Sequence, residues 1–410
     1  MGYRVEVFDK NLRRVGEIDE WISLDFTVRL VQAGIWQLLI KDGTPQSKII
    51  EKGGGIAIYQ DGVAKPILSG QVDVFQKYWT TVQHTGPGSL YIGGKCHNQL
   101  AYRRLAFPDP LRPITDQYKV PKVRHVHNAP TAGQLLFREL DMAMGPSALP
   151  DRRVAGLNLV DRAIGLHQND VVRWDVLGSK FEEWCDRRAI AYRLIYNPTT
   201  QKVDLDIFQP RDRSKDVRFS TELGNLREYI WTLNAPRATR AIVGCAGEGQ
   251  NRYYYQKVDS ASEAEWGISH EVFVDRRDIQ VRINRGTGEP VKADEEMTDA
   301  EFKAALEAAK EAAAEALAEG EKDGNFQIYP IDTEDCAFGR DYFVGDIVTV
   351  AVDGTEYSDV VREVVVSVDD GGKATDIKPK IGQQGSGEPL NLYRTVFDMQ
   401  RKLRKLEARM

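Results

Sequence analysis

The first hundred residues alternate. Tyr3, Val5 and Val7 are separated by polar or charged neighbours, and the same rhythm returns at Trp36, Leu38 and Ile40, at Ile56 and Ile58, and at Val72 and Val74. A period of two puts successive apolar side chains on one face of a half-buried strand. Asp42-Gly43, Gly53-Gly54-Gly55 and Asp61-Gly62 fall between the runs and supply turns that need positive φ. Short strands joined by tight turns predict a sandwich or a barrel.

The period changes near residue 96. Pro108, Pro110, Pro113 and Pro121 punctuate an irregular stretch. Thr131-Ala132-Gly133-Gln134 then reads as a capping box ahead of Leu135, Leu136, Phe137, Leu140 and Met144. A second helix is predicted over 179–188, with Phe181, Trp184 and Cys185 on one side. Alternation resumes over 191–196 and 203–208, either side of Asn197-Pro198.

Beyond Pro236 a second β region opens with the apolar run from Ala241 to Cys245 and the alternating Val272 and Val274. The stretch 293–323 is rich in Ala and Glu and holds eleven acids against three bases. It opens with a capping box at Thr298 and Glu301 and stops near Gly320. Its large apolar positions are sparse (Phe302, Leu306 and Leu317), which predicts a helix that packs lightly or on a partner. Strands return over 326–330 and 346–368, and Gly382 to Pro389 forms a flexible linker.

The last segment carries Leu392, Val396, Met399, Leu403, Leu406 and Met410, in alternating steps of four and three. That is a heptad stripe, made basic by Arg394, Arg401, Lys402, Arg404, Lys405 and Arg409. So short a helix is marginal alone. The stripe Leu392, Val396, Met399, Leu403 and Leu406 therefore predicts self-association within a larger assembly. The competing reading is an amphipathic helix docked on its own chain.

Together these patterns predict a mainly β chain with α insertions, an α+β fold. Residues 1–95 with 201–236 form a first β-barrel, and 96–200 a small α+β insertion domain. Residues 237–382 form a second β-barrel with a helical insertion at 298–320, and 383–410 a linker and a coiled-coil helix. An internal similarity supports two barrels. Ile56-Ala-Ile-Tyr-Gln-Asp-Gly62 and Val348-Thr-Val-Ala-Val-Asp-Gly354 are both alternating strands running into Asp-Gly. Ten residues after each glycine stand Val72-Asp-Val74 and Val364-Val-Val366. Strand, Asp-Gly and strand is also a common hairpin pattern, so duplication and coincidence both stay open.

Composition narrows the function. The chain has 410 residues, 42% hydrophobic and 28% charged, the balance of a folded protein of several domains. Its net charge of -6 argues against a dedicated duplex-binding protein, which carries a basic surplus. Cys96, Cys185, Cys245 and Cys336 are scattered and form no C-x-x-C, as expected of reduced thiols made in a cytoplasm. The amino-terminal strand pattern is no signal peptide, and no apolar run reaches the roughly 18 residues of a membrane span.

Candidate chemistry is thin. His125 and His127 share one face of an extended stretch, but no third ligand is evident and Cys96-His97 is distant. Asp369-Asp370-Gly371-Gly372 lacks the alternating oxygen ligands of a calcium loop and reads as a hairpin turn. Gly244, Gly247 and Gly249 lack the G-x-G-x-x-G order. Cys185 beside Trp184 reads as core. The expectation is no catalytic residue, no cofactor and no metal. Tyr253-Tyr254-Tyr255, flanked by Arg252 and Lys257, is the one aromatic and basic cluster. It is read as a partner contact, with a nucleic-acid or glycan contact as the alternative.

The order of these pieces is similar to a known family. Val5-Glu-Val-Phe-Asp-Lys-Asn-Leu-Arg-Arg-Val-Gly16 through Gly34-Ile-Trp36 resembles its opening. Phe219-Ser-Thr-Glu-Leu-Gly-Asn-Leu226 and Gly339-Arg-Asp-Tyr-Phe-Val-Gly-Asp-Ile-Val-Thr-Val350 match further on, followed by Val361-Arg-Glu-Val364 and Pro379-Lys-Ile-Gly382. The chain resembles the tail-hub or minor tail proteins of siphophages, related in fold to the hub proteins of contractile-tail baseplates. The resemblance implies a structural, non-enzymatic protein of the virion tail tip, made in the host cytoplasm. It implies a homotrimeric ring closing the distal end of the tail tube, beneath a distal tail protein. Other tip or fibre proteins would anchor to it, and the tape-measure protein and DNA would occupy its lumen, without membrane insertion. Two barrels in each of three chains make six, which lets a threefold ring cap a sixfold tube. A distal-tail ring component and a tail-associated cell-wall hydrolase are the alternatives.

Overall fold

The alternation of Tyr3, Val5 and Val7 becomes the strand Tyr3–Phe8, paired antiparallel with Arg14–Ile18 on one side and Gly55–Gln60 on the other. Leu68–Gln71 completes this four-stranded sheet. Val5 faces Ile58 across the ladder and Val7 faces Ile56, and all four are buried. The computed structural model describes residues 2–382 apart from 82–87, 121–123, 127–130, 167–169, 321–322, 331–332, 334–335 and 353. It divides into two compact units, Met1–Ile230 with Phe326–Gly382, and Trp231–Asn325.

A larger, eleven-stranded sheet packs with it in the first unit. Ser23–Arg29 pairs with Ile35–Lys41, which pairs with Ser89–Lys95, which pairs with Val74–Tyr78. On its other side Ser23–Arg29 pairs with the long strand Thr355–Val368, and Ala374–Gly382 follows. Val364, Val366 and Val368 stand opposite Val28, Phe26 and Leu24. The large sheet thus joins strands from the first hundred residues to the last described strands. Leu24, Phe26, Leu38, Ile92, Val364 and Val366 join Val5, Ile56 and Ile58 in a single core.

This arrangement corrects the expectation of two barrels. Among the described residues no sheet's strand order returns to its first strand. The four-stranded and eleven-stranded sheets touch through isolated bridges, Gly2 to Lys373 and Gly70 to Cys96. Residues 237–382, expected to form one domain, divide between the two units. The reason is side-chain supply: the valines of Thr355–Val368 complete the apolar face begun by Leu24 and Phe26. Both repeat segments do form hairpins, with Gly62 at φ 80° and Gly354 at φ 75°. The mainly β, α+β character is as expected.

The insertion contains helices Ala132–Met144 and Leu177–Arg188 and the hairpin Ala191–Asn197 with Lys202–Phe208. Thr131 caps the first helix, its hydroxyl accepting from Gln134 N–H at 3.3 Å. Leu136, Leu140, Phe181, Trp184 and Tyr192 form a second core with Phe8, Ala57 and Tyr59 from the four-stranded sheet. That sheet is covered on both faces, so every residue of Gly55–Gln60 is buried.

In the second unit Arg240–Gly244 lies between Tyr254–Val258, antiparallel, and Glu271–Asp275, parallel. Helix Asp299–Glu319 begins at the expected capping box, with both reciprocal bonds of Thr298 and Glu301 made. It covers one face of the sheet through Ala309, Ala312 and Ala313, packed with Ala241, Val243 and Cys245. The helix therefore has its own seam. The seam is made of alanine, which lets helix and sheet approach closely, and a search for large apolar residues passes over it.

Candidate functional site

The strand order of the large sheet begins at Leu226–Asn234 and ends at Val74–Tyr78. Val74–Tyr78 pairs with Ser89–Lys95 on one side, and all five of its residues are exposed. Its apolar side chains are large: Phe75 is 38% exposed, Tyr78 52% and the adjacent Trp79 58%. An edge strand offers a row of backbone donors and acceptors to another strand, and apolar side chains on it mark an association surface. The sequence pattern had placed Val72 and Val74 in a strand but not at an edge. The doublet Tyr78-Trp79, persisting past the alternating run, is the signal for it.

A cavity of about 480 Å³ opens in the same unit. Of the three arginines that line it, Arg29, Arg193 and Arg211, two lie over a phenylalanine ring: Arg193 over Phe208 at 5.5 Å and Arg211 over Phe343 at 5.6 Å. Arg193 donates twice to Asp206, at 3.0 and 2.8 Å. Arg211 grips Asp346 in a two-pronged pair at 2.8 and 2.7 Å, which raises its own pKa. Asp346 is buried, so the pair fixes the guanidinium plane at the wall. Ile67, Ile195 and Val344 make the rest of the lining largely apolar.

The insertion is locked to the sheets by buried polar groups. Tyr196 N–H donates to Ser69 Oγ at 2.8 Å, and Ser69 Oγ lies 2.9 Å from His97 Nδ1. The serine hydroxyl thus accepts from the backbone and shares a second hydrogen bond with the imidazole ring. Burial pushes the His97 pKa down to about 4, so the ring is neutral. Phe8 stacks on His97 at 5.8 Å and on Tyr196 at 4.7 Å. Asn98 joins the parts again, donating to Val31 C=O and accepting from Leu194 N–H, each at 2.7 Å. Ser69 and His97 are the elements of a nucleophilic pair, yet both are buried and serve here as a joint.

The three tyrosines separate. Tyr253 and Tyr255 pack on the core under the helix, while Tyr254 projects from the opposite face and is half exposed. There it lies 6.4 Å from Phe273, and Arg252 sits beneath both rings at 5.7 and 5.5 Å. Arg252 is buried and held by Asp275 and by the carbonyls of Cys245 and Gly244 at 2.9 and 2.8 Å. Gly244 makes room for this arrangement, since a Cβ there would stand 2.6 Å from Arg252 and 2.7 Å from Phe273. Tyr254 is the most exposed of the three, and Phe273 stands beside it.

Leu392, Val396, Met399, Leu403 and Leu406 lie outside the described residues, as do His127 and the side chain of His125. Cys96, Cys185 and Cys245 are thiols outside any disulfide, and burial raises the pKa of each; Cys336 is buried as well. Among the described residues no group of three His, Cys, Asp or Glu side chains is placed to hold a metal. No helix among them is long and apolar enough to cross a membrane.

Several solved structures share this fold. The 43 kDa tail protein of prophage MuSo2 from Shewanella oneidensis superposes with a TM-score of 0.54 at 10% identity, over 93% of this chain and 98% of that one. The tail protein from Neisseria meningitidis MC58 gives 0.51 at 12% identity, over 94% and 98%. Prophage tail protein gp18 from Listeria monocytogenes EGD-e gives 0.51 at 8% identity, over 98% of both chains. No curated protein matches the sequence significantly. The profile of the Siphovirus ReqiPepy6 Gp37-like proteins matches residues 4–383, nearly the whole chain, and the protein belongs to that family.

Proposed function

We propose that the protein is a structural component of a long-tailed phage's tail tip, a hub that closes the distal end of the tail tube as a homotrimeric ring. The observation that carries this reading is the open eleven-stranded sheet with the exposed apolar edge Val74–Tyr78. Copies arranged head to tail satisfy such an edge, and closed cyclic symmetry repeats one contact around the ring. The siphovirus family and the fold shared with prophage tail proteins along the whole chain support it. The work of the ring is mechanical and needs no catalytic group. It holds the distal tail protein above, anchors tip or fibre proteins around it, and lets the tape-measure protein and DNA through its lumen. A net charge of -6 suits a wall that DNA passes without sticking.

The carboxy-terminal stripe Leu392, Val396, Met399, Leu403 and Leu406 adds a coiled-coil contact between copies. Tyr254 with Phe273 is the surface for a neighbouring tip protein. Light scattering on the purified chain at several concentrations tests the hub. A mass of three chains is expected. Six chains would favour a distal-tail ring, and a monomer at every concentration would remove the ring.

A further inference from the structure

Two arginine doublets of the insertion, Arg103-Arg104 and Arg152-Arg153, are far apart in the sequence and meet in the fold. Arg104 donates to the carbonyls of Arg103 at 3.4 Å and Arg152 at 3.2 Å. Arg152 donates back to the carbonyl of Leu105 at 2.8 Å. The outer pair is exposed and ordinary: Arg103 is matched by Asp73 at 2.7 Å, and Arg153 donates to Ala148 C=O at 2.9 Å. Arg104 and Arg152 are half-buried, and among the described residues neither has a carboxylate within 4.0 Å. Other half-buried arginines are matched, as Arg29 is by Glu363 at 2.7 Å, Arg124 by Glu139 at 2.6 Å and Arg240 by Glu263 at 2.7 Å.

Two like charges held together and partly withdrawn from water cost stability unless something neutralises them. Burial and the neighbouring Arg104 lower the pKa of Arg152, and Asp151 offsets only part of this, from beyond ion-pair distance. The Phe107 ring, its centroid 3.7 Å from Arg152 Cζ, steadies the guanidinium without supplying a negative charge. A guanidinium has five N–H donors in a fixed fork. Arg152 gives one of them to the protein and Arg104 gives two, and Arg104 Nε is buried without a partner. A clasp between the two chain segments needs the carbonyl bonds alone, which neutral donors also make. Two unmatched charges and a surplus of forked donors are the complement of an oxyanion. A carboxylate brings one negative charge; a phosphate brings nearly two at neutral pH and so balances the pair.

We infer that Arg104 and Arg152 form an anion-binding site on the insertion that takes a dianionic phosphate group, free or carried as a monoester. The site goes beyond the ring proposed above and stands or falls independently of it.

The test is thermal unfolding of the full chain at about pH 8, where phosphate is dianionic, in sodium phosphate against sodium chloride of equal ionic strength. The natural chain, Arg152→Gln and the exposed neighbour Arg153→Gln are compared. Phosphate strengthens burial in any protein, so the variants report the background. The natural chain and Arg153→Gln are expected to gain about 2–4 °C more than Arg152→Gln. Equal gains in all three overturn the site and leave a structural clasp. Sodium acetate and glycerol 3-phosphate are run as further arms. Protection by acetate equal to that by phosphate overturns the dianion and assigns the arginines to a carboxylate. Protection by glycerol 3-phosphate supports a phosphate read on a larger molecule, and protection by inorganic phosphate alone supports the free anion. Should Arg152→Gln fail to fold, calorimetric titration of the natural chain with inorganic phosphate decides: saturation at one site per chain is expected, and no saturable heat overturns the site.

Discussion

Ser69 Oγ and His97 Nδ1 meet at 2.9 Å with both side chains buried, and the contact ties strand Leu68–Gln71 to the segment that enters the insertion. The same hydroxyl accepts from Tyr196 N–H. Ser69→Ala leaves two buried polar groups without a partner. The expected loss is about 2–4 kcal/mol, read as a lower urea midpoint with an unchanged slope.

His97 also predicts acid sensitivity. Its pKa is held at about 4 in the folded chain against an ordinary 6.5. The unfolded chain therefore takes up this proton first as pH falls. The contribution to stability is complete above 6.5 and is lost as pH drops from there towards 4, about 2 kcal/mol by pH 5. Urea unfolding at pH 7 and pH 5 should show a smaller drop for His97→Gln than for the natural chain. Equal drops would assign the sensitivity to other groups.

The alanine seam of helix Asp299–Glu319 is a third prediction. Ala313 is buried against the sheet and Ala304 is exposed. Ala313→Leu overpacks the seam and should cost about 1–3 kcal/mol, while Ala304→Leu stays within roughly 0.5 kcal/mol. Thermal unfolding of the two variants distinguishes a packed helix from a lightly held one.

Arg124 donates twice to Glu139, each bond 2.6 Å, and Glu139 is buried within helix Ala132–Met144. Glu139→Ala strands a largely buried guanidinium and should destabilise the insertion by about 3–5 kcal/mol. Preserved stability would mean that the arginine finds water.

The tyrosines and the heptads test assembly. Tyr254→Ala should change stability by less than about 0.5 kcal/mol, whereas Tyr255→Ala should cost about 1–3 kcal/mol. Loss of binding to a tip protein with Tyr254→Ala alone would mark the partner surface. Leu403→Asp places a charge in the proposed helix seam and should shift the light-scattering mass towards one chain. Normal assembly of Leu403→Asp would remove the coiled coil.

Local chemistry was legible in the chain itself. Alternation marked Tyr3–Phe8 and Ile35–Lys41, and Thr298 with Glu301 marked a helix start, because each rule spans only a few residues. The glycines of both Asp-Gly turns likewise announced their hairpins. Pairing partners were decided by the tertiary structure. Val364 and Val366 could have faced any apolar strand, and their place beside Val28 and Phe26 depends on bringing the chain's two ends together. That choice turned two expected barrels into open sheets around one core. It also decided which strand ends the sheet: among the described residues, Val74–Tyr78 is the last in the strand order. Exposure of Tyr254 and partial burial of Tyr253 and Tyr255 follow from which face of the sheet the alanine helix covers. Periodicity determines that faces alternate; what covers each face depends on residues distant in sequence.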